Sequence, residues 1–97
     1  MRVRTHPGEV LREEFMKPLG LNANSLSLAL RVPANRIGAI IRRKDPRAVS
    51  ADTAMRLARY FGTTPEFWMN LQAAYDLSVA QTELQDKIER DVHPRAA

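Results

Sequence analysis

The sequence predicts an all-α fold built around a helix-turn-helix, and three observations carry that expectation. Apolar residues recur at helical spacing along most of the chain, with no convincing strand alternation. Two short apolar-striped segments, 22–30 and 33–42, are joined by Arg31-Val32-Pro33, a link too short for anything but a sharp change of direction. The second segment ends in Arg42, Arg43 and Lys44, where phosphates lie when such a helix enters a major groove. Periodicity alone fits an ordinary helical hairpin with outward basic residues equally well.

Each element has its own signals. Pro7 suits the first turn of a first helix, with Thr5 or His6 as cap and Glu9 at the positive end of the dipole. Val10, Leu11 and Phe15 make its apolar face, and Pro18 and Gly20 are expected to end it. Asn22 caps a second helix striped by Leu26 and Leu30. Pro33 and Ala34 open a third, to about Arg42, with Ile37, Ile40 and Ile41 on one side. After a loop containing Asp45-Pro46-Arg47, Ser50 caps a fourth helix bearing Ala54, Leu57, Ala58 and Phe61, and Gly62 stops it.

Thr64-Pro65-Glu66 combines a cap, a first-turn proline and an acid, and so opens a fifth helix carrying Phe67, Trp68, Leu71, Ala74 and Tyr75. A sixth segment, Ser78 to about Arg90, has Val79, Leu84 and Ile88 as apolar anchors, and His93-Pro94 ends it. The expected organisation is a helix-turn-helix DNA-binding domain over residues 1–77 and a C-terminal helical extension with a disordered end over 78–97.

Composition narrows the function. Ninety-seven residues suffice for one domain with a modest core. The absence of cysteine excludes disulfides, thiolate metal sites and cysteine nucleophiles. No apolar run approaches a membrane span of roughly 20 residues, no signal-peptide core is visible, and a cytoplasmic location is expected. The formal charge of +4 is unevenly placed. Residues 31–47 hold six basic side chains against Asp45, whereas 76–91 hold five acids against Lys87 and Arg90. The middle of the chain attracts phosphate and the C-terminal segment is repelled by it, although such a cluster also fits a plain solvated face.

With Ile37 and Ile40 inward, the outward positions of the third helix are Ala34, Asn35, Gly38 and Ala39, with Arg36 and Arg42 at the edges. Asn35 suits a bidentate pair with adenine, Arg36 a guanine or a phosphate, and Ala34 or Ala39 a thymine methyl. A mid-helix glycine such as Gly38 costs about 1 kcal/mol against alanine, so it marks either close approach to DNA or a tolerant position. Leu28 points away from the stripe of Leu26 and Leu30, as an isolated exposed leucine or as a contact for a partner protein. Phe67, Trp68, Leu71 and Tyr75 form either core or part of a dimer interface.

Catalysis has little support. Neither His6 nor His93 falls in a metal-ligand spacing, and no phosphate loop or nucleophile elbow is present. No enzyme, metal or cofactor is expected.

Four stretches carry a family resemblance: residues 6–15, beginning His6-Pro7-Gly8-Glu9; Leu19-Gly20-Leu21; residues 51–62, beginning Ala51-Asp52-Thr53-Ala54; and residues 64–72, beginning Thr64-Pro65-Glu66-Phe67-Trp68. Together they resemble the HigA (VapI-like) antitoxins, within the Xre-type helix-turn-helix proteins. The resemblance implies a compact five-helix phage-repressor-like domain that dimerises on a palindromic operator in its own promoter. It also implies a HigB-type toxin partner, a RelE-like mRNA endoribonuclease.

The family pattern places the DNA-facing positions on Ala34, Asn35, Gly38 and Ala39, with Asn22 at a phosphate-contacting helix start. Arg31 stands where a turn glycine is usual, Arg42-Arg43 where Asn-Gly is usual, and Ser27 where a small alanine is usual. The polar readers of repressors are replaced by Ala34, Gly38 and Ala39, so binding leans on Arg36, Arg42, Arg43, Lys44 and Arg47. Leu28, Trp68, Leu71 and Tyr75 are the candidate dimer or partner residues. Two alternatives stay open: a toxin-binding module with weak or non-specific DNA binding, and a stand-alone phage-type repressor.

Overall fold

Among the described residues five helices form, and most begin where the sequence supplies a cap. The computed structural model describes residues 2–96, so Met1 and Ala97, the outer ends of the two expected segments, lie outside the described residues. Helix α1 is one continuous run: an α-helical turn over Pro7–Val10, a π-helical stretch over Leu11–Met16, and a last turn over Lys17–Leu19. Helices α2 (Ala23–Leu30) and α3 (Ala34–Ile41) follow, then α4 (Ala51–Phe61) and α5 (Pro65–Asp91).

His6 caps α1, its Nδ1 accepting from the Gly8 N–H at 2.8 Å. Asn22 and Ser25 form a reciprocal capping box at α2, and Ser50 and Thr64 cap α4 and α5. Gly20 and Gly62 close α1 and α4 in the left-handed region, at φ 65° and 74°.

Two expectations about helix ends are corrected. Pro18 does not stop α1. The preceding turn widens, with the Lys17 N–H bonding the Arg12 carbonyl, and the helix continues to Leu19 around a residue that has no N–H to donate. The expected fifth and sixth segments are one helix of 27 residues, because no glycine or proline lies between Pro65 and Pro94. Ser78, where the extension was expected to start, is buried. Its Oγ donates to the Tyr75 carbonyl and accepts from the Arg4 N–H, both at 2.8 Å, tying the N-terminal residues to α5.

The core collects Leu11 and Met16 of α1, Leu26 and Leu30 of α2, Ile37 and Ile40 of α3, Leu57 of α4 and Trp68 of α5. Gly8 lets α1 approach the end of α3, since a Cβ there would overlap the Ile40 carbonyl. Gln72, also buried, accepts from the Val49 N–H at 2.8 Å and donates to Asp76 Oδ1 at 2.9 Å, fixing the loop before α4 against α5. Beyond Ala80 every described residue is exposed, so the last third of α5 projects from the core.

Candidate nucleic-acid interface

The turn between α2 and α3 is held by side chains as well as backbone. Ser27 is buried, and its hydroxyl donates to the Ala34 carbonyl at 3.3 Å, stitching α2 to the first residue of α3. Arg31 ends α2 with φ 59°, the left-handed conformation its place in a glycine position requires. From α4, Arg56 Nη1 donates to the Leu30 carbonyl at 2.9 Å, so a cation sits at the negative end of α2. At the end of α3, the Arg12 guanidinium donates in the same way to the Ile41 carbonyl.

This frame presents one face of α3 outward. Ile37 and Ile40 are buried, Ala34 and Asn35 are exposed, and Gly38 and Ala39 are half-buried. Asn35, Gly38, Ala39, Arg42 and Arg47 line a single shallow hollow. A Cβ at Gly38 would meet nothing within 4 Å, so the fold itself does not demand a glycine there.

Two cations, Arg42 and Arg47, line the hollow, and two more follow α3. Arg42 Nε donates to the Asp45 carbonyl at 2.8 Å, and Arg43, Lys44 and Arg47 are exposed. The Arg47 N–H bonds the Ala39 carbonyl at 2.8 Å, folding the basic loop back along α3. Arg36, expected at the edge of this face as a guanine or phosphate contact, has its Nη1 2.6 Å from Asp52 Oδ2 on α4. Asp52 also accepts from Arg56 Nε, and the hydrogen bonds from Arg36 and then Arg56 hold its carboxyl below the usual range. Asn22 is exposed, with its Oδ1 engaged by the Ser25 N–H at 2.8 Å, so only the rest of its amide faces outward.

The four expected interface residues separate. Trp68 is corrected: it is 0% exposed, its Nε1 donates to Thr63 Oγ1 at 2.8 Å, and its ring packs on Phe15 and Phe67. Burial in the domain's own core leaves it no surface to offer. Leu71 and Tyr75 are half-buried, Tyr75 standing edge-on to His6, and Leu28 is 68% exposed. Residues that position the site without a sequence signal are Arg12, Asp52, Arg56 and Gln72, whose partners lie on other elements.

Among the described residues no helix is long and apolar enough to cross a membrane, and no cluster of three or more His, Cys, Asp or Glu could hold a metal ion. No family model matches the chain. Virulence-associated protein I of Dichelobacter nodosus is 51% identical over 80 residues, which are 82% of this chain and 72% of that protein. An addiction module antidote protein of the HigA family from Coxiella burnetii is 47% identical, with a TM-score of 0.86 over 97% of this chain and all of the other. Antitoxin HigA of Pseudomonas aeruginosa, solved with the higBA promoter, is 40% identical, with a TM-score of 0.87 over 95% and 98% of the two chains.

Proposed function

The chain belongs to the HigA family of helix-turn-helix antitoxins, and from that membership we propose a DNA-binding antitoxin that represses its own operon and neutralises a HigB-type, RelE-like mRNA endoribonuclease toxin. The observation that carries the DNA reading is the outward face of α3, where Asn35 stands beside a glycine-floored hollow rimmed by Arg42 and Arg47. Ala34, Asn35, Gly38 and Ala39 face the bases, while Asn22, Arg42, Arg43, Lys44 and Arg47 hold phosphates. The protein acts by binding, with no catalytic step of its own.

Two copies place their recognition helices about 34–36 Å apart, one turn of duplex, on a palindromic site. The surface for the second copy is the later part of α5, where Leu77, just before the projecting third, and Leu84 and Ile88 within it are 62%, 43% and 51% exposed on one face. Leu28 on α2, with Met55 and Tyr60 exposed on α4, is offered to the toxin.

A salt titration tests this reading, with the chain's own upstream DNA and a random duplex of equal length. Tight binding that prefers the upstream DNA at physiological salt supports a specific autorepressor. Equal, salt-sensitive binding to both refutes specific readout and makes toxin binding the main activity.

A further inference from the structure

Arg36 is tied into a relay that reaches the ends of both helices of the motif. Its Nη1 donates to Asp52 Oδ2 at 2.6 Å, across to the first turn of α4. One turn further along α4, Arg56 Nε donates to both Asp52 oxygens at 3.1 Å. Arg56 is anchored in turn, its Nη1 donating to the Leu30 carbonyl at the end of α2.

Asp52 supplies an acid to the first turn of α4, which suits the helix dipole, and it orients Arg56, but neither duty requires it to bind Arg36 as well. The cap of α4 is Ser50, whose Oγ accepts from the Thr53 N–H. The Asp52 side chain is 54% exposed, where an ion pair adds little to stability. It is also an acid beside a surface read as facing phosphate, which works against affinity. An acid in that place is accounted for if its effect is on which DNA is bound rather than on how tightly.

We propose that Asp52 is a specificity-determining positioning residue: by holding Arg36 it denies that guanidinium to phosphates on any passing sequence and fixes it beside Asn35. The inference rests on the reading of α3 as the recognition helix. An unheld arginine on a four-bond stem bonds phosphate on every duplex alike, whereas a held one contributes only where the groove brings an acceptor to it.

The test is a double-mutant cycle of D52N and R36A, titrated against the upstream DNA and a random duplex from 50 to 200 mM salt. D52N is nearly isosteric and removes the charge that holds Arg36. It is expected to tighten binding to the random duplex, to lower the upstream-to-random ratio, and to steepen the salt slope by about 0.9 per copy, about 3.5-fold over that salt range. In the R36A background the same D52N change is expected to leave ratio and slope where R36A put them. An unchanged ratio in D52N, or an equal shift with and without Arg36, overturns the proposal and leaves Asp52 a simple repulsive charge. If the unmodified protein shows no preference for its upstream DNA, the recognition-helix reading itself fails first, and the inference goes with it.

Discussion

The double substitution Arg42→Ala and Arg43→Ala tests how much of the DNA affinity is charge alone. Both side chains are exposed just past the C-terminal end of α3, and Arg42, which lines the hollow, is held by its bond to the Asp45 carbonyl. Each cation that neutralises a phosphate contributes about 0.9 to the slope of log affinity against log salt, so two per copy contribute about 1.8. In the proposed two-fold dimer four arginines are lost, about 3.6 in slope. Raising salt fourfold, from 50 to 200 mM, therefore weakens the unmodified protein about 150-fold more than the variant.

Fluorescence anisotropy with labelled upstream and random duplexes measures this directly. The loss is expected on both duplexes in equal proportion, because phosphates carry no sequence. Thermal melts separate it from unfolding, since the substitution forfeits only one exposed hydrogen bond, about 1 kcal/mol. An unchanged salt slope, or a loss confined to the upstream duplex, refutes the assignment of these arginines to phosphate.

Gly8→Ala drives a methyl into the Ile40 carbonyl and should destabilise by about 1–3 kcal/mol, read as a fall in Tm with far less effect from Gly38→Ala. His6 titrates below its ordinary value of 6.5 because burial disfavours its charge, against a smaller pull from Asp76. The neutral form is thus favoured in the fold, so its contribution is complete above about pH 6.5 and is lost as pH falls through the lowered value. Melts at pH 7.5 and 5.5 should show a drop that His6→Asn, still a good cap, makes smaller. Leu84→Asp with Ile88→Asp should leave the fold intact, both residues being exposed, but give monomers by sedimentation and weaker operator binding. Dimers that persist would place the interface elsewhere.

What the sequence made legible was local. Caps such as Asn22, Ser50 and Thr64 bond residues within their own first turn, and apolar stripes such as Leu26–Leu30 and Ile37–Ile40 repeat within one helix. What it hid depends on two elements meeting. The partners of Arg12 and Arg56 are carbonyls at the ends of other helices, 29 and 26 residues away along the chain. Gln72 reaches back 23 residues to Val49, and Asp52 reaches 16 to Arg36. No periodicity marks such pairs, and the same arginines read from sequence as solvated charge. The burial of Trp68 was likewise undecided by spacing, because a stripe on α5 is equally suited to the domain's own core and to a second copy. Phe15 and Thr63 decide it by filling its surroundings.

The scarcity of polar side chains on α3 sets a limit on how specificity is achieved. Asn35 and Arg36 are the only ones between Ala34 and Ile41, and Arg36 is bound to Asp52. The bidentate contact proposed from Asn35 to adenine would discriminate by about 1–3 kcal/mol, so the two copies of the proposed dimer would supply about 2–6 kcal/mol. Picking one site out of bulk DNA takes about 4–10 kcal/mol. Asn35 alone meets only the lower end of that range, and the rest must come from features that need no polar reader. Methyl contact from Ala34 and Ala39 with thymine is one, and the fixed half-site spacing of a dimer is another. A third is DNA shape, since under the proposed docking the open space at Gly38 lets a duplex of suitable groove geometry come close to α3. Shape and spacing discriminate only while charge attraction does not swamp them. A protein with few readers and many arginines therefore gains more than most from an acid that restrains one of its cations.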